Sequence, residues 1–145
     1  MHWKRGFYGA TFALLLALAG CATSSPDLAS IGPKPSNYRE IVAAQVRATF
    51  FDPYSIRDAG IAEPFPGGTV ITYDWQSGEG WVVCLRANGK NRFGAYIGVK
   101  ETAFVVRGGK VVHTLDETGA LFCSNVRYEP FTIAQVDVSE LRGAQ

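Results

Sequence analysis

Beyond residue 21 the chain carries two cysteines, Cys84 and Cys123, and one histidine, His113. A thiol beside an imidazole is the start of a nucleophilic site, because the imidazole lowers the thiol pKa and the thiolate attacks. Such a site also needs a group that orients the histidine and donors for an oxyanion, and no residue pattern supplies them. One histidine and two distant cysteines have no metal-ligand spacing either. A second candidate is the carboxylate pair Asp74 and Glu79, with Trp75 and Trp81 nearby. Paired carboxylates with rings that stack on sugar would suit a glycosidase. Solvation of polar residues at a turn, and packing of tryptophans in strands, account for the same residues more simply.

The third candidate is the stretch RANGKNRFGAYIG, residues 86–98. It fails the phosphate-loop pattern Gly-x-x-x-x-Gly-Lys-Ser/Thr, since position 84 is Cys and position 91 is Asn. Asn88-Gly89 is a turn dipeptide. Gly94, Tyr96 and Gly98 alternate, which would put a tyrosine ring over positions without side chains. That leaves Asn88, Lys90, Asn91 and Arg92, with Tyr96, as a candidate binding site for an anion or a glycan. No cofactor motif is present.

These residues need elements to hold them. Asn37, with Glu40 three residues later, forms a capping-box pattern. Tyr38, Ile41, Val42, Gln45, Val46 and Thr49 then recur at helical spacing, and Pro53 closes a helix of about four turns. Residues 63–68, EPFPGG, read as a loop. Strands are expected at 69–75, 81–87 and 94–100, with a turn at 76–80 and weaker strands at 120–124 and 131–138. The clearest hairpin is ETAFVVR-GG-KVVHTLDE, where Gly108-Gly109 supplies the positive φ angles of a two-residue turn. Its expected register opposes Val106 to Val111, Val105 to Val112 and Phe104 to His113. The fold class that follows is α+β, with one N-terminal helix packed on an antiparallel β-meander.

The chain of 145 residues opens MHWKRGFYGATFALLLALAGC. Lys4 and Arg5 precede an apolar run at 7–19 that reaches about 20 Å as a helix, short of a bilayer core of about 30 Å. A secretory signal is the better reading. Leu18-Ala19-Gly20-Cys21 resembles the lipobox of bacterial lipoproteins. That resemblance implies cleavage before Cys21, lipidation of its sulfur and acylation of the new amino terminus. More than one acyl chain gives stable attachment. Ala22, where an aspartate would resemble an inner-membrane retention signal, favours the outer membrane facing the periplasm. The expected organisation is a signal peptide at 1–20, a lipidated cysteine with a flexible tether at 21–36, and one globular α+β domain at 37–145.

Without residues 1–20 the chain holds 12 basic and 13 acidic residues, a net charge of −1. No basic stripe argues for nucleic acid. Export places Cys84 and Cys123 where disulfides persist, so a bond between them is the expectation and buried free thiols are the alternative. Asp52-Pro53-x-Ser55, followed by Val83-Cys84 and Asn88-x-Lys90-Asn91-x-Phe93-Gly94-x-Tyr96-x-Gly98, resembles a pattern of small bacterial envelope and phage-associated proteins. Because that group has no settled activity, the resemblance implies relatives and a loop that belongs to the fold, its amides pinning backbone. With no catalytic constellation, the expected function is a non-catalytic, lipid-anchored domain acting on another envelope protein. An anion- or glycan-binding module and a small thiol enzyme or hydrolase are the alternatives.

Overall fold

In the computed structural model, which describes residues 28–71, 77–116 and 119–137, the chain enters through a short helix, α1 (Leu28–Ile31). Ile31 is buried. The indole of Trp81 donates to the Gly32 carbonyl at 3.0 Å, and Lys34 pairs with Glu63. Within the stretch expected to be tether, the described residues from Leu28 onward are docked on the domain. Residues 1–27, with Cys21, lie outside the described residues. No described helix is long and apolar enough to cross a membrane.

The expected helix forms as α2 (Tyr38–Thr49) and buries Tyr38, Ile41, Val42, Ala43 and Val46. Two details differ. Asn37 precedes the helix with φ −97° and ψ 31° and makes no side-chain cap bond, because capping needs an extended residue whose side chain folds back on the first free amides. The helix also stops one turn early, at an extended Phe50 whose N–H bonds the Val46 carbonyl. Pro53 instead opens a 3-10 turn, Pro53–Ser55.

The described residues then form six strands: β1 (Arg57–Ala62), β2 (Phe65–Ile71), β3 (Ser77–Lys90), β4 (Tyr96–Arg107), β5 (Lys110–Leu115) and β6 (Tyr128–Pro130). All the pairings are antiparallel, in the order β5-β4-β3-β1-β6, and the sheet does not close into a barrel. The consecutive strands β2-β3-β4-β5 form a meander, and β1 and β6 extend the sheet beyond it. β1 and β2 lie end to end along β3, pairing respectively with residues 85–88 and 77–82. The expected loop at 63–68 is thus mostly strand, broken by a bend at Glu63 and Pro64. Proline cannot donate to a ladder, so its presence suits an irregular strand with one open side. The expected turn at 76–80 is strand from Ser77 onward.

The Gly108-Gly109 turn forms, with φ of 58° and 76°. Past it Val106 opposes Val111 as expected, but Val105 opposes His113 and Phe104 opposes Thr114. An extra residue on β5 causes the shift, as a β-bulge does. It turns Val111 and Leu115 to opposite faces of the sheet. Residues 120–124, expected as strand, contribute to a short helix, α3 (Gly119–Cys123). A short apolar run reads equally well as helix or strand. Residues 131–138 carry a 3-10 turn, Ile133–Gln135, because the Arg47 guanidinium takes the carbonyls of Ile133 and Val136 at 2.7 and 2.6 Å.

Alternation along the strands makes two cores. One packs α2 on Ile61, Val83, Leu85, Phe104 and Val106. The other gathers Ala62, Val82, Cys84, Ala103 and Cys123 on the opposite face. Cys84 and Cys123 are disulfide-bonded, their Cα atoms 5.7 Å apart. Both are fully buried.

Candidate functional site

The residues of the sequence pattern meet at one end of the sheet. Asn91 opens the β3–β4 loop and its side chain organises it: Oδ1 accepts from the amides of Phe93 and Ala95 at 3.0 and 3.1 Å. Its own backbone bonds Ala95 and Gly94. Asn88 Oδ1 accepts from the Gly98 amide at 3.0 Å, fixing a bulge in β4 at which Gly98 has φ 87°. A side chain there would be strained, since positive φ drives Cβ against the following carbonyl. Gly94 lies in the turn at φ 81°. The expected alternation of Gly94, Tyr96 and Gly98 along one strand face therefore does not form.

Tyr96 packs against cations. The Arg57 guanidinium lies 4.4 Å from the ring centroid and Lys90 Nζ 5.4 Å from it, both within cation–π reach. Its hydroxyl donates to the Ser55 carbonyl at 2.9 Å. Lys90 Nζ sits 3.5 Å from an Asp52 carboxylate oxygen. The Asp52–Ser55 segment closes on itself through the Ser55 hydroxyl and amide, which donate to the Asp52 carbonyl. Residues far apart in the pattern thus form one latch between the 3-10 turn and the β3–β4 loop.

The latch leaves two neighbouring side chains outside. Phe93 is 89% exposed, and Arg92 is exposed without a partner among the described residues. Phe51 and Tyr54, at 69% and 67% exposure, flank the latched turn. Of the expected binding residues, the structure brings Asn88, Lys90, Asn91 and Tyr96 together as the frame and leaves Arg92 exposed.

The other candidates separate. Cys84 is bonded to Cys123, so it has no free thiol with which to pair with His113. Glu79 accepts a bond from Ser30 Oγ, and Trp81 holds Gly32. Asp74 and Trp75 lie outside the described residues. Among the described residues no cluster of His, Cys, Asp and Glu could hold a metal. A cleft of about 480 Å³ opens beside the disulfide, lined by Pro64, Phe65, Phe122, Val126 and Arg127. Its carboxylates are already engaged, Glu63 by Lys34 and Glu129 by Arg39.

One cluster escapes sequence reading. Tyr128 donates to Glu101 Oε1 at 2.9 Å, and the Arg86 guanidinium lies 4.8 Å from its ring centroid. Burial, then the hydrogen bond to the Glu101 carboxylate, push the Tyr128 phenol well above its usual range. Arg86 opposes Glu101 across β3 and β4, a pairing visible only once the register is known. The chain matches no family model, no curated protein and no solved structure.

Proposed function

We propose that the chain is a lipid-anchored envelope protein whose domain acts by contact with another protein, through the end of the sheet that carries Arg92 and Phe93. The observation that supports this reading is the contrast at that end. Four polar or aromatic side chains are used to fix a loop whose tip exposes an aromatic ring and a free guanidinium. Aromatic residues and arginine dominate binding energy at protein interfaces, and a loop fixed beforehand loses less conformational freedom on binding. The alternative, an anion- or glycan-binding loop, fits less well. The asparagine oxygens and the Lys90 ammonium are engaged inside the latch, which leaves Arg92 as its free charge.

The position of the loop agrees with an anchor at Cys21. The incoming segment 28–34 contacts Glu79 and Trp81 near the start of β3, and the loop leaves the other end of that strand. From Trp81 to Lys90 the distance along β3 is about 30 Å. A diacylated or triacylated Cys21 in the outer membrane would then hold one end near the lipid and present Phe93 toward the periplasm.

A photoreactive residue at position 93 in intact cells should give one discrete crosslinked product. The same probe at Leu121, exposed on α3, should not. Equal products at both positions would contradict a specific contact. Mass spectrometry of the native amino terminus should find acylated Cys21, and an unmodified cysteine would remove the anchor.

A further inference from the structure

Beside the loop, one side of β4 is unpaired among the described residues. β5 pairs with β4 only between Ala103 and Arg107, while the stretch from Tyr96 to Thr102 pairs with β3 on its other side. No described strand covers the outer edge of that stretch. An uncovered edge presents main-chain donors and acceptors that another strand satisfies, and proteins usually blunt such edges. Two other edges, those of β2 and β6, are blunted, while the outer edge of β5 carries no described strand. β2 carries Pro66, and β6 is three residues long and ends in proline. The open stretch of β4 has no proline, and its Gly98 bulge turns inward, with the amide bonded to Asn88 Oδ1. Ile97 and Val99 remain 48% and 54% exposed, and both are strand formers.

Cations outnumber carboxylates beside this edge. Arg92 and Lys100 are exposed without partners among the described residues. Asp52 is paired with Lys90, and Glu101, which accepts from the Tyr128 phenol, is the one carboxylate among the described residues 96–102. We propose that the outer edge of β4 along residues 96–102 receives an extended acidic segment of the partner as an added strand. This rests on the contact reading above and names the chemistry of the partner. A second copy of the chain fits worse, because it would bring the unpaired cations of both copies to one seam and set two Gly98 bulges side by side.

The test is hydrogen exchange on the full processed protein in detergent micelles, with three short synthetic peptides. One alternates valine with glutamate, one alternates valine with lysine, and one is the glutamate peptide N-methylated at alternate residues. The glutamate peptide should slow exchange at amides within residues 96–102 by at least about tenfold, and less as salt is raised. The lysine peptide should bind about tenfold more weakly, and the N-methylated one should give no protection because its ladder donors are gone. No protection from the glutamate peptide, or equal protection from the lysine peptide, overturns the proposal. Protection without peptide that grows with protein concentration also overturns it, in favour of self-association. A protein that still crosslinks through position 93 yet shows no protection at β4 rejects the edge alone. Protection at β4 without any crosslink at 93 rejects the loop reading instead.

Discussion

On one face of the sheet, α2 lays Ile41, Val42 and Val46 over Val83, Leu85, Phe104 and Val106. On the other face the buried side chains are smaller, Ala62, Val82 and Ala103, and a five-residue helix is held over them by Cys84–Cys123. The first face is closed by apolar area on a regular helix. The second has too little of that area to order so short a helix, and a covalent bond with a polar cluster does the rest. Short helices do not hold themselves in water. The two faces should therefore fail differently.

The largest effect is expected on the helix face. Phe104 is fully buried, and Phe104→Ala should cost about 3–5 kcal/mol of unfolding free energy. Urea unfolding measures it, and a loss below about 1.5 kcal/mol would mean that α2 does not seal this face. Next comes the disulfide. The bond spans 39 residues, for which the chain-entropy model gives about 4 kcal/mol. The Cys84→Ser/Cys123→Ser variant should lose about 2–4 kcal/mol. Hydrogen exchange should show α3 unprotected while α2 keeps its protection. Uniform loss on both faces would end the distinction between them.

A smaller effect is expected from the polar cluster. Tyr128→Phe keeps the ring beneath Arg86 and removes the bond to Glu101, at a cost of about 1 kcal/mol. It should also change the alkaline limb of stability. A phenol whose pKa is raised in the folded state contributes stability that is complete below its unfolded value, about pH 10, and is lost as pH climbs toward the folded value. Stability of the parent should fall above about pH 10, and Tyr128→Phe should flatten that fall. Burial lifts Tyr38 in the same direction, so part of the slope should persist in the variant. At the acid limb the sign reverses. The hydrogen bond from Lys34 holds the Glu63 carboxyl below its usual range, so its contribution is present above the unfolded pKa of 4.5 and fades as pH falls through the folded value. Glu63→Gln should remove that small acid-side dependence.

The helix face was legible in the sequence because α2 repeats apolar residues at helical spacing and the Gly108-Gly109 turn admits few conformations. The Cys84–Cys123 bond was expected and is present, but several elements around it were not legible. RDAGIA in β1 lacks the β-branched run that marks a strand, and it forms because β3 and β6 flank it on both sides. Pro64 and Pro66 signal a loop, yet here Pro64 lies in the break between β1 and β2 and Pro66 within β2, both strands running alongside β3. The β5 bulge cannot be read from a valine pair that alternates equally well in either register. At the candidate site, residue types were enough to single out the loop. Whether Asn88 and Asn91 face a ligand or their own backbone is decided by hydrogen bonds that only the structure contains.

The central claim is that the latch holds the fold and the tip makes the contact. The direct test combines Arg92→Ala with Phe93→Ala and reads both Tm and in-cell crosslinking from a photoreactive residue placed at position 54, which is exposed beside the tip. Exposed residues without partners contribute within about 0.5 kcal/mol to stability, so Tm should stay unchanged while the crosslinked product disappears. A persistent product at unchanged Tm would contradict a contact role for the tip, and a marked fall in Tm would return Arg92 and Phe93 to the frame.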